Sequence, residues 1–313
     1  VIGYDNPKNL GMAGMHGTIA ANKAFDRADL MIALGTRFSD RVALNPEKFG
    51  KRAQKIQIDI DTSELNKNVV VDVGITADIK DFLKQLLPLI KENGHEEWLD
   101  LATGWKKTTG DVKSSDAELH PSEIIGTVCD LTDKETIYVT DVGQHQMWSA
   151  QYLRHVHTRQ FLTSGGLGTM GYGYGAAIGA QIGCPEARVI HFTGDGSFHM
   201  NLNEGVTAVS ENLPIITIIM NNQVLGMVYQ WQNIFYESRY SATDPHRKTN
   251  FVKIAEGFGA KGFTADTPAE FEEVFAKALK EKGPVWIDCH IAKTEYVYPM
   301  IPGGGTIEDM IIG

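Results

Sequence analysis

The stretch from His191 to Val228 constrains the fold more than any other part of this sequence. Val189–Thr193 has the apolar character of a short buried strand, and Leu213–Met220 is a continuous, β-branched apolar run. Such runs are typical of strands in a parallel sheet that is covered on both faces. Between them, Ser197–Asn212 carries apolar residues at intervals of three and four, which predicts a helix. The predicted order is therefore strand, Gly-Asp-Gly turn, helix, strand and Asn-Asn.

This order brings polar side chains to one edge of the predicted sheet. Both strands of a βαβ unit point the same way, so Asp195 and the pair Asn221–Asn222 reach the carboxyl edge, where open α/β sheets bind ligands. Gly194 and Gly196 let the backbone approach a ligand, and the following helix directs free N–H groups towards it. Carboxylate and amide oxygens suit magnesium, which such sites usually share with a phosphate. The residues predict a magnesium–diphosphate site, although each piece alone equally suits a turn or a strand end.

The composition indicates a globular protein and argues against several classes of partner. A length of 313 residues gives room for two domains. The formal net charge of −10, without a Lys or Arg run, argues against nucleic acid and anionic membrane surfaces as partners. No apolar run reaches membrane-spanning length, and we expect no signal peptide from the first residues given. The three cysteines lack metal-binding spacing and suit a reducing, cytoplasmic compartment. We also expect the chain to be a piece of a longer protein, because Val-Ile-Gly is not a natural start.

The pattern divides the chain into three parts. Residues 1–92 combine glycine-rich and helical segments with a buried strand at Asp29–Gly35, and predict half of a Rossmann-like sheet. Residues 93–119 are polar and predict a linker on the surface. In residues 120–313 strands and helices alternate, which predicts a parallel sheet with helices on both faces and a glycine-rich tail after Met300. The predicted fold class is therefore α/β.

The central stretch resembles the thiamine diphosphate motif of the decarboxylase and carboligase superfamily. Its Gly-Asp-Gly is followed by 24 residues and then by Asn-Asn, with strand, helix and strand between. Further segments are similar to the catalytic subunits of the acetohydroxyacid synthase family, also called acetolactate synthases, over essentially the whole chain. These segments are GMHG at Gly14–Gly17, RFSDR at Arg37–Arg41, GQHQMW at Gly143–Trp148, GGLGTMG at Gly165–Gly171, NNQVLGMVYQWQ at Asn221–Gln232 and YPMIPGGG at Tyr298–Gly305.

The resemblance implies a set of metal and cofactor ligands. Asp195, the side chain of Asn222 and the backbone carbonyl of Val224 fall where the family binds Mg2+. The residues that fall where the family contacts thiamine diphosphate are Gly143, Gln144, His145, Gly168, Met170, Gly194, Gly196, Ser197 and Met227. We therefore expect the part 120–313 to be the domain that binds the diphosphate of this cofactor.

Catalytic roles are implied for Gln144, Met170, Met227 and Trp231. By resemblance, Met170 holds the two cofactor rings in a bent shape, Met227 lies near the thiazolium, and Trp231 lines the pocket for the second keto acid. Structural roles are the alternatives. The methionines equally suit gap-filling in a core, His145 suits a structural histidine, and Trp231 suits packing.

A second cofactor, FAD, is implied for residues 1–92, although the flavin does no net redox work in the family's reaction. The residues at the matching positions are Gly14, Met15, His16, Arg37, Asp40, Asp59 and Asp78. The family usually has Arg-Phe-Asp-Asp-Arg, whereas this chain has Ser39 in place of the first acid and keeps Asp40. Asp59 and Asp61 end a predicted strand and equally suit a ribose contact or a turn.

The implied activity is the decarboxylation of pyruvate and its joining to a second 2-keto acid. The products are 2-acetolactate from pyruvate and 2-aceto-2-hydroxybutyrate from 2-ketobutyrate, which are precursors of valine, leucine and isoleucine. In the family, a glutamate of the neighbouring subunit's N-terminal domain activates the cofactor, and nothing in this chain matches that domain. We therefore expect a homodimer or homotetramer with its site at the subunit interface, a small regulatory subunit as a further partner, and no activity from this chain alone.

Two other classes of function stay open at the level of the sequence. Another thiamine diphosphate enzyme, such as catabolic acetolactate synthase, glyoxylate carboligase or pyruvate oxidase, would share Asp195 and Asn222. Arg37, the GMHG loop and Trp231 favour the biosynthetic enzyme over these relatives. A non-catalytic nucleotide-binding or regulatory fragment would bind no thiamine diphosphate.

Overall fold

A computed structural model of the chain describes residues 2–106 and 117–313. Within these ranges, residues 7–106 and 298–313 form one unit, and residues 2–6 and 117–297 form a second, larger unit. The ten residues 107–116 of the predicted linker lie outside the described residues.

The smaller unit is built on a three-stranded parallel sheet in the order β1-β2-β3. Its elements are α1 (Ile19–Arg27), β1 (Leu30–Leu34), β2 (Gln54–Asp59), β3 (Val73–Thr76), α2 (Ile79–Leu86) and α3 (Glu96–Lys106). Helix α1 begins where Thr18 caps it, since the Thr18 side chain accepts a hydrogen bond from the N–H of Ala21. The parallel order agrees with the Rossmann-like arrangement predicted for this part.

The apolar run of β1 predicted a buried strand, but only one face of this strand is buried. Met31 and Ala33 are buried, whereas Leu30, Ile32 and Leu34 are between 41% and 48% exposed. The alternation shows that the described part of the unit covers one face of this strand. A continuous apolar run predicts which residues avoid water but does not say what covers them.

The segment predicted as a polar linker, 93–119, contains a helix. Helix α3 occupies Glu96–Lys106, and its Trp98 and Trp105 rings meet edge to face at 5.9 Å. The two tryptophans are seven residues apart, which places them on one face of a helix. Their packing stabilises a helix in a segment whose polar composition alone indicates a loop.

The tail also departs from the predicted boundaries. Residues 298–313 belong to the smaller unit, whereas the sequence predicted them as an extension of the domain at 120–313. The N–H of Ile301 donates to the carbonyl of Met15 at 2.8 Å, and Met300 pairs with Ile311 in an antiparallel bridge. These long-range backbone contacts fix the tail, and they leave no local signal in the sequence.

The larger unit is a six-stranded parallel sheet in the order β5-β4-β6-β7-β9-β8. Its elements are α4 (Pro121–Leu131), β4 (Ile137–Thr140), α5 (Gln144–Tyr152), β5 (Phe161–Leu162), α6 (Tyr172–Gly183), β6 (Val189–Gly194), α7 (Asp195–Phe198), α8 (Gly205–Ser210), β7 (Ile216–Asn221), α9 (Gly226–Phe235), α10 (Phe251–Phe258), β8 (Lys261–Ala265), α11 (Pro268–Ala278) and β9 (Val285–His290). The predicted α/β fold class, a parallel-sheet domain preceded by part of a Rossmann-like domain, is confirmed.

The core of the larger unit lies on both faces of this sheet. On β7, Ile216 and Ile218 enter one buried cluster, whereas Ile219 enters a second cluster on the opposite face. All three side chains are fully buried. Full coverage of both faces explains why the central strands are continuous apolar runs.

The connection between β6 and β7 is not the single helix predicted for Ser197–Asn212. It is divided into α7, a 3-10 turn at Leu202–Glu204 and α8. Gly205 marks the start of α8, and a Cβ atom there would lie 2.7 Å from the ring of Trp286. The backbone passes close to this ring where the helix is divided, and the apolar spacing alone does not reveal this contact.

None of the helices in the described ranges is long and apolar enough to cross a membrane.

Candidate functional site

The Gly-Asp-Gly and Asn-Asn segments lie at the same edge of the larger sheet. Gly194 pairs with Met220 across β6 and β7, so Asp195 and Asn221 leave the two strands side by side. Asp195 is 4% exposed and Asn222 is 6% exposed, and Val224 is also buried. The parallel register therefore places Asp195 and Asn222 just beyond adjacent strand ends, as the strand pattern indicated, and Val224 follows Asn222 by two residues.

Asp195 is a buried carboxylate with a cationic neighbour. Its Oδ2 atom lies 3.2 Å from Nη1 of Arg247. Burial raises the pKa of Asp195 to about 6, while the charge of Arg247 and backbone N–H groups, including that of Gly196, act in the opposite direction. Arg247 was not predicted from the sequence, because it lies 52 residues further along the chain and outside every motif.

The side chain of Asn222 is held in one orientation. Its Nδ2 donates to Oε1 of Gln144 at 3.0 Å, and its Oδ1 accepts from the N–H of Val224 at 3.3 Å. Gln144 in turn donates through Nε2 to Oε1 of Gln230 and to the carbonyl of Glu295, both at 3.0 Å. These contacts fix which side of the Asn222 amide presents oxygen, because the nitrogen already has an acceptor.

The donor set fits a hard divalent cation. One carboxylate, one oriented amide oxygen and a backbone carbonyl are oxygen ligands, and Mg2+ binds such ligands together with phosphate oxygens and water. Across residues 2–106 and 117–313, no group of three or more His, Cys, Asp or Glu side chains is placed to hold a metal ion. A metal site with a single carboxylate is consistent with a cation whose remaining coordination positions are filled by a bound ligand and water.

Asp141 joins the second glycine-rich loop to the Gly-Asp-Gly turn. It is 1% exposed at the carboxyl end of β4 and accepts a hydrogen bond from the hydroxyl of Ser197. It also accepts from the backbone N–H groups of Gly171 and Gly173, at 2.8 and 3.3 Å. Asp141 was not predicted as a site residue, although its place after an apolar strand is a usable signal. Since the Ser197 hydroxyl donates to Asp141, its backbone N–H is the donor left for an anionic ligand.

The ring of His145 fills the space between the two backbone segments of the site. A Cβ atom at Gly143 or at Gly194 would lie 2.9 Å from this ring, so both positions require glycine. Burial lowers the pKa of His145 to about 4, against the opposing charge of Asp141, and the ring is therefore neutral near pH 7. Among the described residues, Nε2 of His145 is buried without a hydrogen-bond partner. An orphaned buried nitrogen is compatible with the predicted ligand contact.

The residues with implied catalytic roles lie on three segments, since Gln144 begins α5 and the others occupy the loop before α6 and the helix α9. Gly168 has a left-handed φ of 69° in an exposed part of the loop, and Met170 is half-buried two residues later. Met227 and Trp231 are one turn apart on α9 and share a face. Met227 packs against the core, and Trp231 meets Phe235 edge to face at 5.1 Å.

In the smaller unit, three of the residues implied for FAD lie at one sheet edge. Arg37, Asp59 and Asp78 follow or end the parallel strands β1, β2 and β3. Asp59 accepts from the N–H of Asp61 at 3.0 Å, and Asp78 caps α2 by accepting from two backbone N–H groups. The turn role considered for Asp59 is thus present, and its carboxylate keeps further acceptor capacity.

The GMHG loop packs against the RFSDR segment. The N–H of Met15 donates to the carbonyl of Arg41 at 2.8 Å, and a Cβ atom at Gly14 would clash with that same carbonyl. Burial, together with the charge of Arg41, lowers the pKa of His16 to about 4. Asp40 lies on the surface and pairs with Arg41 at 3.0 Å. The structure therefore brings the loop residues next to this segment.

Comparison with known proteins identifies a family for both units. Residues 141–289 match the model of the thiamine pyrophosphate enzyme C-terminal TPP binding domain, and residues 1–86 match that of the thiamine pyrophosphate enzyme central domain. The chain is 42% identical to an acetolactate synthase large subunit of Cyanidium caldarium, over 98% of this chain and 54% of the relative.

Two further relatives come from distant organisms. The chain is 43% identical to an acetolactate synthase large subunit of Lactococcus lactis, over 96% of this chain and 53% of the relative. It is 39% identical to acetolactate synthase 1, chloroplastic, of Zea mays, over 98% of this chain and 50% of the relative. The chain spans about half the length of these curated relatives. By these matches and by its fold, the chain belongs to the thiamine pyrophosphate enzyme family.

Proposed function

We propose that the chain provides the metal- and diphosphate-binding half of an acetolactate synthase active site. The observation that carries this proposal is the placement of Asp195 and Asn222 at adjacent strand ends, with the Asn222 amide fixed by Gln144. The similarity to acetolactate synthase large subunits over nearly the whole chain supports the same reaction.

In this proposal, Asp195, Asn222 and the carbonyl of Val224 hold Mg2+, and the chain binds thiamine diphosphate around it. When bound, the cofactor supplies a thiazolium carbon that allows a 2-keto acid to lose its carboxyl group. The backbone N–H groups of Gly196 and Ser197 receive the diphosphate at the start of α7.

The neutral ring of His145 donates to the same anion through Nε2, in the tautomer that carries its single ring proton on that nitrogen. Asp141 keeps the loop that carries Met170 next to the turn, through its bond to the N–H of Gly171. Gln144 acts on the metal by orienting Asn222, since both polar ends of its side chain are already engaged within the protein.

The proposed substrates are pyruvate and 2-ketobutyrate. Met227 and Trp231 share a face of α9, which begins two residues after the proposed ligand Val224. A methionine and a tryptophan there form an apolar wall against which a small keto acid packs and from which water is excluded. Trp231 is the residue we propose to favour 2-ketobutyrate over pyruvate, because a broad aromatic surface contacts the additional methyl group.

FAD is proposed as the cofactor of the smaller unit. Arg37, Asp59 and Asp78 lie at one carboxyl edge, where a parallel sheet binds nucleotides. Gly14, Met15 and His16 pack on the segment that contains Asp40. We further propose a homodimer or homotetramer with the complete site at the subunit interface, a small regulatory subunit, and a cytoplasmic location consistent with three free cysteines.

Acetolactate formation from pyruvate tests this function. The chain is assayed alone and as a chimera in which it replaces the matching half of the Lactococcus lactis relative, with thiamine diphosphate, Mg2+ and FAD supplied. We expect acetolactate from the chimera, none from the chain alone, and none from a chimera that carries Asp195→Asn.

Each contrary result has its own meaning. Activity of the chain alone would show that an acid within these residues activates the cofactor, against the half-site proposal. A folded chimera that consumes pyruvate while it reduces its flavin would indicate an oxidase. A folded chimera that binds no thiamine diphosphate would indicate a nucleotide-binding module.

A further inference from the structure

Arg247 lies where the proposed cation and diphosphate meet. Its Nη1 is 3.2 Å from Oδ2 of Asp195, and a Cβ atom at Gly196 would be 3.6 Å from the same nitrogen. Gly196 belongs to the turn proposed to receive the diphosphate. One guanidinium therefore stands next to the metal-binding carboxylate and to the anion-binding backbone at the same time.

The segment that carries Arg247 is held to the site at both ends. On one side, the carbonyl of Thr243 accepts from the N–H of Leu225 at 2.8 Å, directly after the proposed ligand Val224. On the other side, Oγ1 of Thr249 lies 2.6 Å from Nε2 of His199. These anchors stand four residues before and two residues after Arg247, which leaves little freedom to the segment between them.

His199 connects the second anchor to the metal ligand itself. Its Nδ1 lies 2.5 Å from the backbone carbonyl of Asp195, while its Nε2 contacts Thr249. The position of Arg247 is thus set by contacts with the elements that bear Val224 and Asp195. Because these contacts fix its position, Arg247 is part of the site and not an unrelated surface cation.

The guanidinium has capacity for a second acceptor. The Arg247 side chain is 25% exposed, and in the described parts of the chain neither Nε nor Nη2 has a hydrogen-bond acceptor. A divalent cation on Asp195 repels a guanidinium on the same carboxylate, because the two charges are alike. The planar guanidinium group of an arginine commonly donates hydrogen bonds to phosphate oxygens instead.

We propose that Arg247 is an exchangeable cation of this site. It neutralises Asp195 when no divalent cation is bound, and it turns to a phosphate oxygen of the diphosphate when the divalent cation takes the carboxylate. This inference rests on the proposed function. It adds a residue that weakens binding of the metal in the absence of the cofactor and strengthens it in the presence of the cofactor.

Binding of Mn2+, measured from the electron paramagnetic resonance signal of the free ion, tests this exchange. Wild type, Arg247→Gln and Lys248→Gln are titrated at pH 8, each without and with thiamine diphosphate. Lys248 is exposed and adjacent, so its substitution removes the same charge outside the site. Thermal melting of each variant verifies that it is folded.

The expected signature is a pair of opposite changes. Without thiamine diphosphate, Arg247→Gln binds Mn2+ about fivefold more tightly than wild type. The substitution removes the guanidinium that competes with the metal for Asp195, and the free energy of one partly exposed ion pair sets the size of the effect. With thiamine diphosphate, the same variant binds Mn2+ about fivefold more weakly, because a phosphate contact is lost. Lys248→Gln matches wild type under both conditions.

Other outcomes overturn the proposal in distinguishable ways. If Arg247→Gln moves both affinities in one direction, or neither, Arg247 is a structural or merely electrostatic neighbour. If Lys248→Gln reproduces the pair of changes, general charge and not position is responsible. If wild type binds no Mn2+ with or without thiamine diphosphate, the proposed function itself fails, and the exchange with it.

Discussion

Replacement of Gly226 by alanine perturbs the hydrogen bond that orients the proposed metal ligand Asn222. Gly226 is the first residue of α9, and a Cβ atom there would lie 2.0 Å from Oε1 of Gln144 and 2.8 Å from Nδ2 of Asn222. An ordinary contact begins near 3.4 Å. The Gln144 oxygen must therefore retreat by roughly 1.4 Å, which breaks its 3.0 Å hydrogen bond with Asn222.

Two opposing terms set the magnitude. Alanine in a helix gains up to about 1 kcal/mol over glycine. Against this, a buried polar group without its partner costs about 1–3 kcal/mol, and the shift of Gln144 also weakens its bonds to Gln230 and Glu295. The cost exceeds the gain, so Gly226→Ala is expected to lower the free energy of unfolding by about 1–2 kcal/mol.

The chain provides a matched control at Gly257 in α10, where no described atom outside the adjacent residues and the helix backbone lies within 4 Å of the Cβ position. Gly257→Ala is expected to be neutral or to stabilise by up to about 1 kcal/mol. Urea unfolding gives both free energies, and Mn2+ titration shows whether Gly226→Ala also weakens metal binding. If Gly226→Ala is as stable as Gly257→Ala and binds Mn2+ like wild type, the Gln144–Asn222 contact does not hold the site.

Three further changes test other parts of the structure. Asp195→Asn is expected to weaken Mn2+ binding by more than about tenfold in the same titration, since the carboxylate is the charged ligand of the set. Asp141→Asn is expected to cost about 2–4 kcal/mol in urea unfolding and to speed amide exchange in the second glycine-rich loop, because it loses acceptors for several buried donors; unchanged exchange would refute the anchoring role. Hydrogen bonds to Asp288 and Asp266 raise the pKa of His290 to about 9. The protonated ring therefore adds its full contribution to the free energy of unfolding below pH 6.5, and this contribution is lost as the pH rises to about 9. After allowance for solvent screening at this half-exposed side chain, the contribution is on the order of 1 kcal/mol, and it should be missing from the pH profile of His290→Gln.

The sequence predicted the sheet of the larger unit and the edge at which its polar residues meet. The apolar runs of β6 and β7 and the spacing between Asp195 and Asn222 are local patterns, and parallel pairing converts them into proximity. The resemblance to a known family rests on the same local segments. The roles proposed for the individual site residues stay predictions until binding is measured.

Contacts between residues that are far apart in the chain were not predicted from the sequence. Arg247 reaches Asp195 across 52 residues, and the hydrogen bonds of Asp141 to the loop span about thirty residues. Arg247 has no periodic or motif signal, and the place of Asp141 after an apolar strand does not reveal its partners, because both sets of contacts follow from how loops pack on the finished sheet. The same reason explains why the apolar spacing after Ser197 predicted one helix, whereas packing against Trp286 divides it.

Calorimetric titration of this chain with thiamine diphosphate is the most direct test of the magnesium–diphosphate site. The site predicts saturable binding in the presence of Mg2+, its loss when the metal is chelated or when Asp195 is replaced by asparagine, and much weaker binding of thiamine that lacks the diphosphate. Equal binding without Mg2+, or in the Asp195→Asn variant, would contradict a site built on Asp195 and Asn222.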